Sequence, residues 1–207
     1  MAVYIPDPVV KRLPMYCRYL NGLERDNVLY ISSAELADLM GLTASQVRQD
    51  INIIGGAGRR GCGYLVTELK GYIEQLMGMN RRHTMVVIGA GNLGNALLGY
   101  RAFEKRGFSI EAMFDKYPHE SACAGEIPLL DISRLETYLA QHPADIAILT
   151  LPAADAQEMA QRLYSCGIRG FWNFAPTDLQ LPRDAAWVNV HLDESLEMLS
   201  YHLQNGD

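Results

Sequence analysis

One stretch decides the fold of this chain: Met85-Val86-Val87-Ile88-Gly89-Ala90-Gly91-Asn92-Leu93-Gly94. Four apolar residues lead directly into the pattern G-x-G-x-x-G, and a helical pattern follows it. A strand, a glycine turn and a helix in this order predict the phosphate-binding turn of a doubly wound α/β domain. In that geometry Gly89 makes the tight turn, Gly91 admits a pyrophosphate, and Gly94 lets the helix pack closely on the strand.

The sequence after residue 84 alternates between short apolar runs and amphipathic segments. Apolar strands between helices predict a parallel sheet of the Rossmann type with helices on both faces. The last predicted helix has an apolar stripe of Leu196, Leu199 and Leu203 that the domain offers no place to bury. We expect strands at 85–88, 109–114, 146–151, 170–173 and 187–190, and helices at 92–106, 132–141, 153–166 and 193–204.

The second predicted strand ends at Asp115, where a carboxylate can accept hydrogen bonds from the adenosine ribose of a dinucleotide. Asp115 favours NAD(H) over NADP(H), because a 2′-phosphate would face a carboxylate, although Lys116 beside it weakens this preference. The later strand ends contain no His, Lys or Tyr that could transfer a proton beside a nicotinamide. The predicted NAD(H) contacts therefore comprise residues 89–94, Asp115 and Lys116, with an apolar slot for the ring formed by Leu151, Pro152, Asn173, Ala175 and Pro176.

The first 80 residues have a different pattern, with a predicted amphipathic helix over 8–24. The run Ser32-Ser33-Ala34-Glu35 has the form of a capping box and starts a helix that Gly41 can end. Thr43 is placed to cap a further helix over 44–54. A short helix, a glycine turn and a second short helix predict a helix-turn-helix.

The next ten residues, 55–64, contain five glycines with Arg59 and Arg60 among them. Glycines permit the positive φ angles of tight β-turns, so this run predicts a hairpin with two arginines at its exposed tip. A helix over 67–77 follows, and the run 81–83 is the predicted domain boundary.

The charge of the chain is divided unevenly between these two parts. The net charge is −6, yet residues 1–82 carry 10 basic and 8 acidic side chains, while residues 83–207 carry 8 and 16. The amino-terminal part can therefore approach phosphate, which would be repelled by the rest.

The four cysteines, Cys17, Cys62, Cys123 and Cys166, have no metal-site spacing, and no apolar run suits a membrane span or a signal peptide. We expect a cytoplasmic protein without a metal.

From about Ile5 to Leu203 the chain resembles the Rex family of redox-sensing transcriptional repressors. The resemblance implies a winged-helix DNA-binding domain over 1–80, a Rossmann NAD(H)-binding domain over 84–190 and a domain-swapped helix over 191–207. The stretches that carry the resemblance are Arg12-Leu13-Pro14, 32–36, 46–48, 59–64, 89–94, Phe114-Asp115, Gly167-Ile168 and Asn173-Phe174-Ala175-Pro176.

The resemblance also implies a homodimer in which each carboxyl-terminal helix reaches across to the partner. The free or NAD⁺-bound dimer would hold two recognition helices on palindromic operator DNA, and NADH would close the dimer and release the DNA. The implied DNA-binding residues are Ser45, Gln46, Arg48, Gln49, Arg59, Arg60 and Tyr64, and the implied switch residues are Arg18, Tyr100 and His191.

Two positions depart from the family pattern. Gln49 stands where the family usually has lysine, so we expect an altered operator preference, or weaker binding, at the position that Gln49 faces. His191 replaces an aspartate that would pair with Arg18 or Tyr100, which implies a modified switch.

Two other functions are compatible with the sequence. One is an NAD-dependent oxidoreductase with an accessory domain, and the other is an NAD(H)-binding regulator that has lost or altered its DNA binding. The first lacks an identifiable proton-transfer residue near Asn173, and the second is favoured by Gln49.

Overall fold

The computed structural model describes residues 4–56, 58–59, 62–118 and 127–206. The chain divides into two compact units between Arg81 and Arg82. Arg60 of the predicted hairpin and Cys123 lie outside the described residues. No helix within the described ranges is long and apolar enough to cross a membrane.

The first unit has the predicted order of helices and caps. The Ser32 hydroxyl accepts the backbone N–H of Glu35, whose carboxylate accepts the N–H of Ser32 in return. Gly41 ends that helix at a φ of 66°, and the Thr43 side chain caps the next helix, so the helix-turn-helix prediction is confirmed. The elements are α1 (Asp7–Arg25), β1 (Tyr30–Ile31), α2 (Ser33–Met40), α3 (Ala44–Ile54), β2 (Tyr64–Leu65) and α4 (Val66–Leu76).

A small antiparallel sheet forms the wing. Strand β1 pairs with β2, and an isolated bridge joins Arg59 to Gly63 near the tip. Gly63 has a φ of 83°, and a Cβ there would lie 2.3 Å from the carbonyl oxygen of Ile31. Only glycine fits this close approach without strain, which accounts for one of the glycines in the run.

Helix α3 is fastened to α1 by a partly buried ion pair. The guanidinium of Arg12 donates two hydrogen bonds of 2.7 Å to the Asp50 carboxylate, and the Tyr16 hydroxyl donates a third at 3.0 Å. Asp50 is only 2% exposed and lies beside a core that includes Val47 and Ile51 of the same helix. Burial, followed by the Asp50 charge, raises the pKa of Tyr16, so its hydroxyl remains a donor at neutral pH.

The second unit contains one parallel sheet, as predicted. The strand order is β5-β4-β3-β6-β7-β8, and every neighbouring pair is parallel. The elements are β3 (His83–Ile88), α5 (Asn92–Leu98), β4 (Phe108–Asp115), β5 (Leu129–Asp131), α6 (Leu135–Gln141), β6 (Ile146–Leu149), α7 (Ala153–Ser165), β7 (Gly170–Asn173), β8 (Ala186–Asn189) and α8 (Glu194–Asn205).

The predicted helix over 92–106 was wrong in its length. Helix α5 ends at Leu98, and Gly99 begins a turn in which Phe103 packs edge-on against Tyr100 and Trp172. The helix ends at Gly99 because glycine is a weak helix former, and the chain beyond it packs Phe103 against the sheet instead of continuing the helix. The three-residue edge strand β5 was not predicted, because so short a run carries no periodicity.

The two faces of the sheet are covered unequally. Helices α6 and α7 cover one face through buried residues such as Leu135, Leu139 and Leu163. On the other face α5 covers β3 and β4, while Val188 of β8, which is in register with Trp172 of that face, remains 61% exposed. The stripe of α8 is exposed as well, with Leu196, Leu199 and Leu203 at 67%, 54% and 78%.

We predict that Asp50→Asn destabilises the first unit. The exchange leaves the Arg12 guanidinium part-buried without its anion, which costs about 3 kcal/mol of unfolding free energy when a buried pair is broken. Urea denaturation measures the loss. Asp38→Asn, the same exchange at an exposed position of α2, is the control and is expected to change the unfolding free energy by less than about 0.5 kcal/mol. Equal effects of the two variants would contradict the assigned role of Asp50.

Candidate dinucleotide and nucleic-acid sites

The glycine turn between β3 and α5 is packed too closely for side chains. A Cβ on Gly94 would lie 2.1 Å from the carbonyl oxygen of Gly89, and one on Gly89, whose φ is 106°, would lie 2.6 Å from that of Thr150. The Thr150 hydroxyl donates to the carbonyl oxygens of Ile88 and Gly89 at 3.1 and 2.9 Å. These contacts hold the start of α5 against the ends of β3 and β6.

Gly91 differs from its two neighbours, since a Cβ added there would meet nothing within 4 Å. Its φ of −69° and ψ of −176° are open to any residue, so the fold itself does not require glycine here. The free space above Gly91 is therefore room for a ligand, and it lies where a dinucleotide pyrophosphate crosses a turn of this type. The residues present thus fit an NAD(H) molecule.

Asp115 ends β4 beside this turn. Its carboxylate accepts the backbone N–H of Ala90 at 2.6 Å and that of Tyr117 at 2.8 Å. These bonds fix the orientation of the carboxylate while each oxygen keeps lone pairs for further donors, such as ribose hydroxyls. The structure therefore brings together Asp115 and the predicted glycine turn.

A cavity of about 130 Å³ opens next to Asp115. Apolar side chains from β3, β4 and α7 form its walls and suit the flat face of an adenine ring. Its charged residues from α7 were missed by the sequence reasoning, although their spacing places them on one face of a helix that follows β6. The lining comprises Ile88, Phe114, Asp115, Lys116, Ile132, Leu151, Asp155, Glu158, Met159 and Arg162.

The predicted nicotinamide slot lies at the same edge of the sheet, because Ile88, Leu149 and Asn173 occupy one register across β3, β6 and β7. Asn173 is fully buried, and its amide donates to Thr177 and Asn189 while it accepts the N–H of Ala175. Its side chain therefore shapes the loop after β7. Of the other predicted residues Ala175 is buried, Leu151 is half-buried, and Pro152 and Pro176 are exposed.

The predicted switch residues lie on different elements of the chain. Arg18 is exposed on α1, with its guanidinium 5.1 Å from the ring centre of Tyr19, and Tyr100 is 57% exposed in the turn after α5. The His191 Nε2 lies 3.3 Å from a carboxylate oxygen of Asp178, and Asn189 donates to the same carboxylate. The sequence reasoning missed Asp178, which stands 13 residues away along the chain.

The predicted nucleic-acid surface consists of α3 and the wing. Ser45, Arg48 and Gln49 are exposed on α3 and Gln46 is half-buried, whereas Val47 of the same helix is buried. The division follows the helical period, so the polar face is available to the major groove of DNA. Arg48 also donates to the Ser33 hydroxyl at 3.1 Å, which ties it to the start of α2.

On the wing, Arg59 donates to the Tyr30 hydroxyl at 3.0 Å and remains exposed. Tyr64 is half-buried in β2, and burial raises its pKa while the Arg48 charge lowers it. Tyr64 thus stays a neutral hydrogen-bond donor near the basic residues. No cluster of three or more metal-ligating side chains is found among the described residues.

Two family models match the chain. One, described as "Putative DNA-binding protein N-terminus", covers residues 4–52, and the other, described as "CoA binding domain", covers residues 80–177. Curated relatives named "Redox-sensing transcriptional repressor Rex" match nearly the full chain. The relative from Thermoanaerobacter sp. (strain X514) is 43% identical over 94% of this chain and 88% of its own. The relative from Clostridioides difficile (strain 630) is 44% identical over 96% and 95%.

Solved structures of a Rex-family repressor named RSP are also similar. The structure with beta-NADH has 40% identity and a TM-score of 0.90, covering 99% of this chain and 97% of that one. The structure with beta-NAD+ and operator DNA has 41% identity and a TM-score of 0.92, covering 99% and 95%.

We predict that Gly91→Ala blocks the dinucleotide without harming the fold. The added methyl group enters open space and allowed backbone, so the free energy of unfolding should change by less than about 1 kcal/mol. The same methyl group occupies the path of the pyrophosphate, so NADH affinity measured by calorimetry should fall at least about tenfold. Gly99→Ala, at the end of α5, is the control and should bind NADH normally. Normal NADH binding by Gly91→Ala would rule out this path.

Proposed function

Because this chain belongs to the Rex family of redox-sensing transcriptional repressors, we propose that it represses transcription and is released from its operator by NADH. The observation that carries the proposal is that one chain has both a candidate dinucleotide site and a candidate DNA-binding surface. The second unit has a glycine turn with open space at Gly91 beside the Asp115 carboxylate, and the first has an exposed polar face on α3.

NAD(H) serves as a signal in this proposal. The glycine turn would hold the pyrophosphate, Asp115 would accept hydrogen bonds from the adenosine ribose, and the cavity beside Asp115 would take the adenine ring. The slot at Leu151, Pro152 and the loop after Asn173 would hold the nicotinamide ring, which is the part of the coenzyme that carries the hydride. No residue of this chain is assigned a catalytic role, and the relatives are named as repressors.

The DNA contacts divide into base readout and backbone attraction. Ser45, Gln46 and Gln49 would face base edges in the major groove, and Arg48 would reach a base or a phosphate. Arg59 and Tyr64 of the wing would contact the neighbouring minor groove and backbone. The net charge of +2 in residues 1–82, against −8 in residues 83–207, supports an approach to DNA with the first unit.

The release of DNA by NADH is a linkage between the two sites. NADH releases DNA only if it binds the DNA-incompetent arrangement of the dimer more tightly than the competent one. Bound DNA must then weaken NADH by the same factor. Arg18, Tyr100 and His191 are the proposed switch residues, and a carboxylate oxygen of Asp178 lies 3.3 Å from the His191 Nε2.

We also propose a homodimer. The exposed leucine stripe of α8 matches a second unpartnered apolar surface, a groove of about 420 Å³ whose walls include Phe103, Trp172, Trp187 and Val188. Two exposed apolar surfaces on one chain favour burial against a second copy, with each α8 reaching across to its partner.

The function is tested by selecting binding sites from a pool of randomised palindromic duplexes and measuring affinity for the selected DNA by fluorescence anisotropy. We expect nanomolar binding without ligand, little effect of NAD⁺, and at least tenfold weaker binding with saturating NADH. Failure to select any DNA would favour a regulator that has lost DNA binding. Selected DNA that ignores NADH would contradict the redox response.

Leu199→Glu tests the dimer. A carboxylate placed in the stripe would be buried without a partner at the interface, so we expect monomers by sedimentation velocity at micromolar concentration. Asn205→Glu, on the opposite side of the same helix, is the matched control and should remain dimeric. A dimeric Leu199→Glu variant would show that the stripe lies outside the interface.

A further inference from the structure

The coenzyme choice of the proposed site is set by opposing charges at neighbouring residues. Asp115 would reject the 2′-phosphate of NADP(H), whereas the adjacent Lys116 offers the kind of cation that accepts one. Both side chains line the cavity next to the glycine turn. The preference therefore depends on whether the lysine charge is available to a ligand.

The structure pairs Lys116 with a residue of another element. Its Nζ lies 2.8 Å from a carboxylate oxygen of Asp155, in the first turn of α7. The two oxygens of Asp115 are bonded to the N–H groups of Ala90 and Tyr117. The hydrogen bond to Asp155 is the main cause of a raised Lys116 pKa, so the lysine stays charged and engaged.

The other cation of the cavity is engaged in the same way. Arg162 of α7 forms a two-pronged pair with the Glu136 carboxylate of α6 and donates to the carbonyl oxygen of Ile132. Among the cavity residues given above, each cation thus has a carboxylate partner. Glu158 adds a further negative charge to the lining.

We propose that Asp155 is a specificity-determining residue that excludes NADP(H) by holding Lys116. A 2′-phosphate that bonds to Lys116 would compete with Asp155 for the ammonium group, and the Asp155 carboxylate would repel the phosphate. The ribose hydroxyls of NAD(H) could bond to Asp115 and leave the Lys116–Asp155 pair intact. This inference rests on the proposed NAD(H) site.

The pair is half-exposed, with side-chain exposures of 52% for Lys116 and 40% for Asp155. Exposed ion pairs contribute little to stability, so variants of either residue should fold normally. The pair can therefore be broken without disturbing the sheet, and its effect on ligand choice can be measured separately.

The test is the affinity of the full chain for NADH and for NADPH, measured by calorimetry. Asp155→Asn should bind NADPH at least tenfold more tightly than the wild type and raise the ratio of NADPH affinity to NADH affinity at least tenfold, and Asp155→Ala should give at least the same gain. Asp184→Asn is the matched control, since it breaks another exposed pair, that of Asp184 with Arg169 at 3.3 Å, outside the cavity. It should change neither affinity.

A double-variant comparison separates the role of Lys116 from direct repulsion by Asp155. Lys116→Ala with Asp155→Asn should bind NADPH no more than threefold better than Lys116→Ala alone. An unchanged NADPH affinity in Asp155→Asn and Asp155→Ala, or a gain in NADPH affinity that persists without Lys116, would overturn the inference. If the same variants still bind NADH, the proposed NAD(H) site itself would stand. A wild-type chain that binds neither coenzyme would overturn the proposed function and this inference together.

Discussion

The close approach of Gly94 to the carbonyl oxygen of Gly89 is the constraint on which the second unit depends. A Cβ at Gly94 would lie 2.1 Å from that oxygen, so α5 can start where it does only with glycine at this position. Thr150 completes the contact from β6 by donating to both Ile88 and Gly89. The same turn leaves Gly91 facing open space and lets Ala90 orient the Asp115 carboxylate. A packing requirement thus shapes the proposed ligand site.

In the first unit the corresponding constraint is the ion pair of Asp50, whereas in the second unit it is the absence of a side chain at Gly94. Asp50, on the buried side of α3, is bonded by Arg12 and Tyr16 of α1, so the orientation of the recognition helix is set by α1. The same helix α1 carries Arg18, a proposed switch residue, on its exposed side. A movement of α1 caused by the switch would therefore carry α3 with it. This contact would connect the proposed switch to the proposed DNA-binding surface.

Local sequence signals predicted much of this arrangement. The capping box at Ser32 and Glu35, the cap at Thr43 and the glycine turn each depend on residues within about five positions, and each was confirmed. The end of α5 was missed because burial of Phe103 on Trp172 is a long-range contact. The pairs Arg12–Asp50, Lys116–Asp155 and His191–Asp178 join residues 13 to 39 positions apart, and no local periodicity records them. The roles of the predicted site residues in binding NAD(H) and DNA stay predictions.

The coupling between the two sites is measured most directly by a closed thermodynamic cycle on one selected operator duplex. It requires the dissociation constant of NADH with and without saturating DNA, and that of DNA with and without saturating NADH. Linkage requires both ratios to be equal, and we predict that each ligand weakens the other by the same factor of at least ten. An NADH affinity that is unchanged or increased by bound operator would contradict the account.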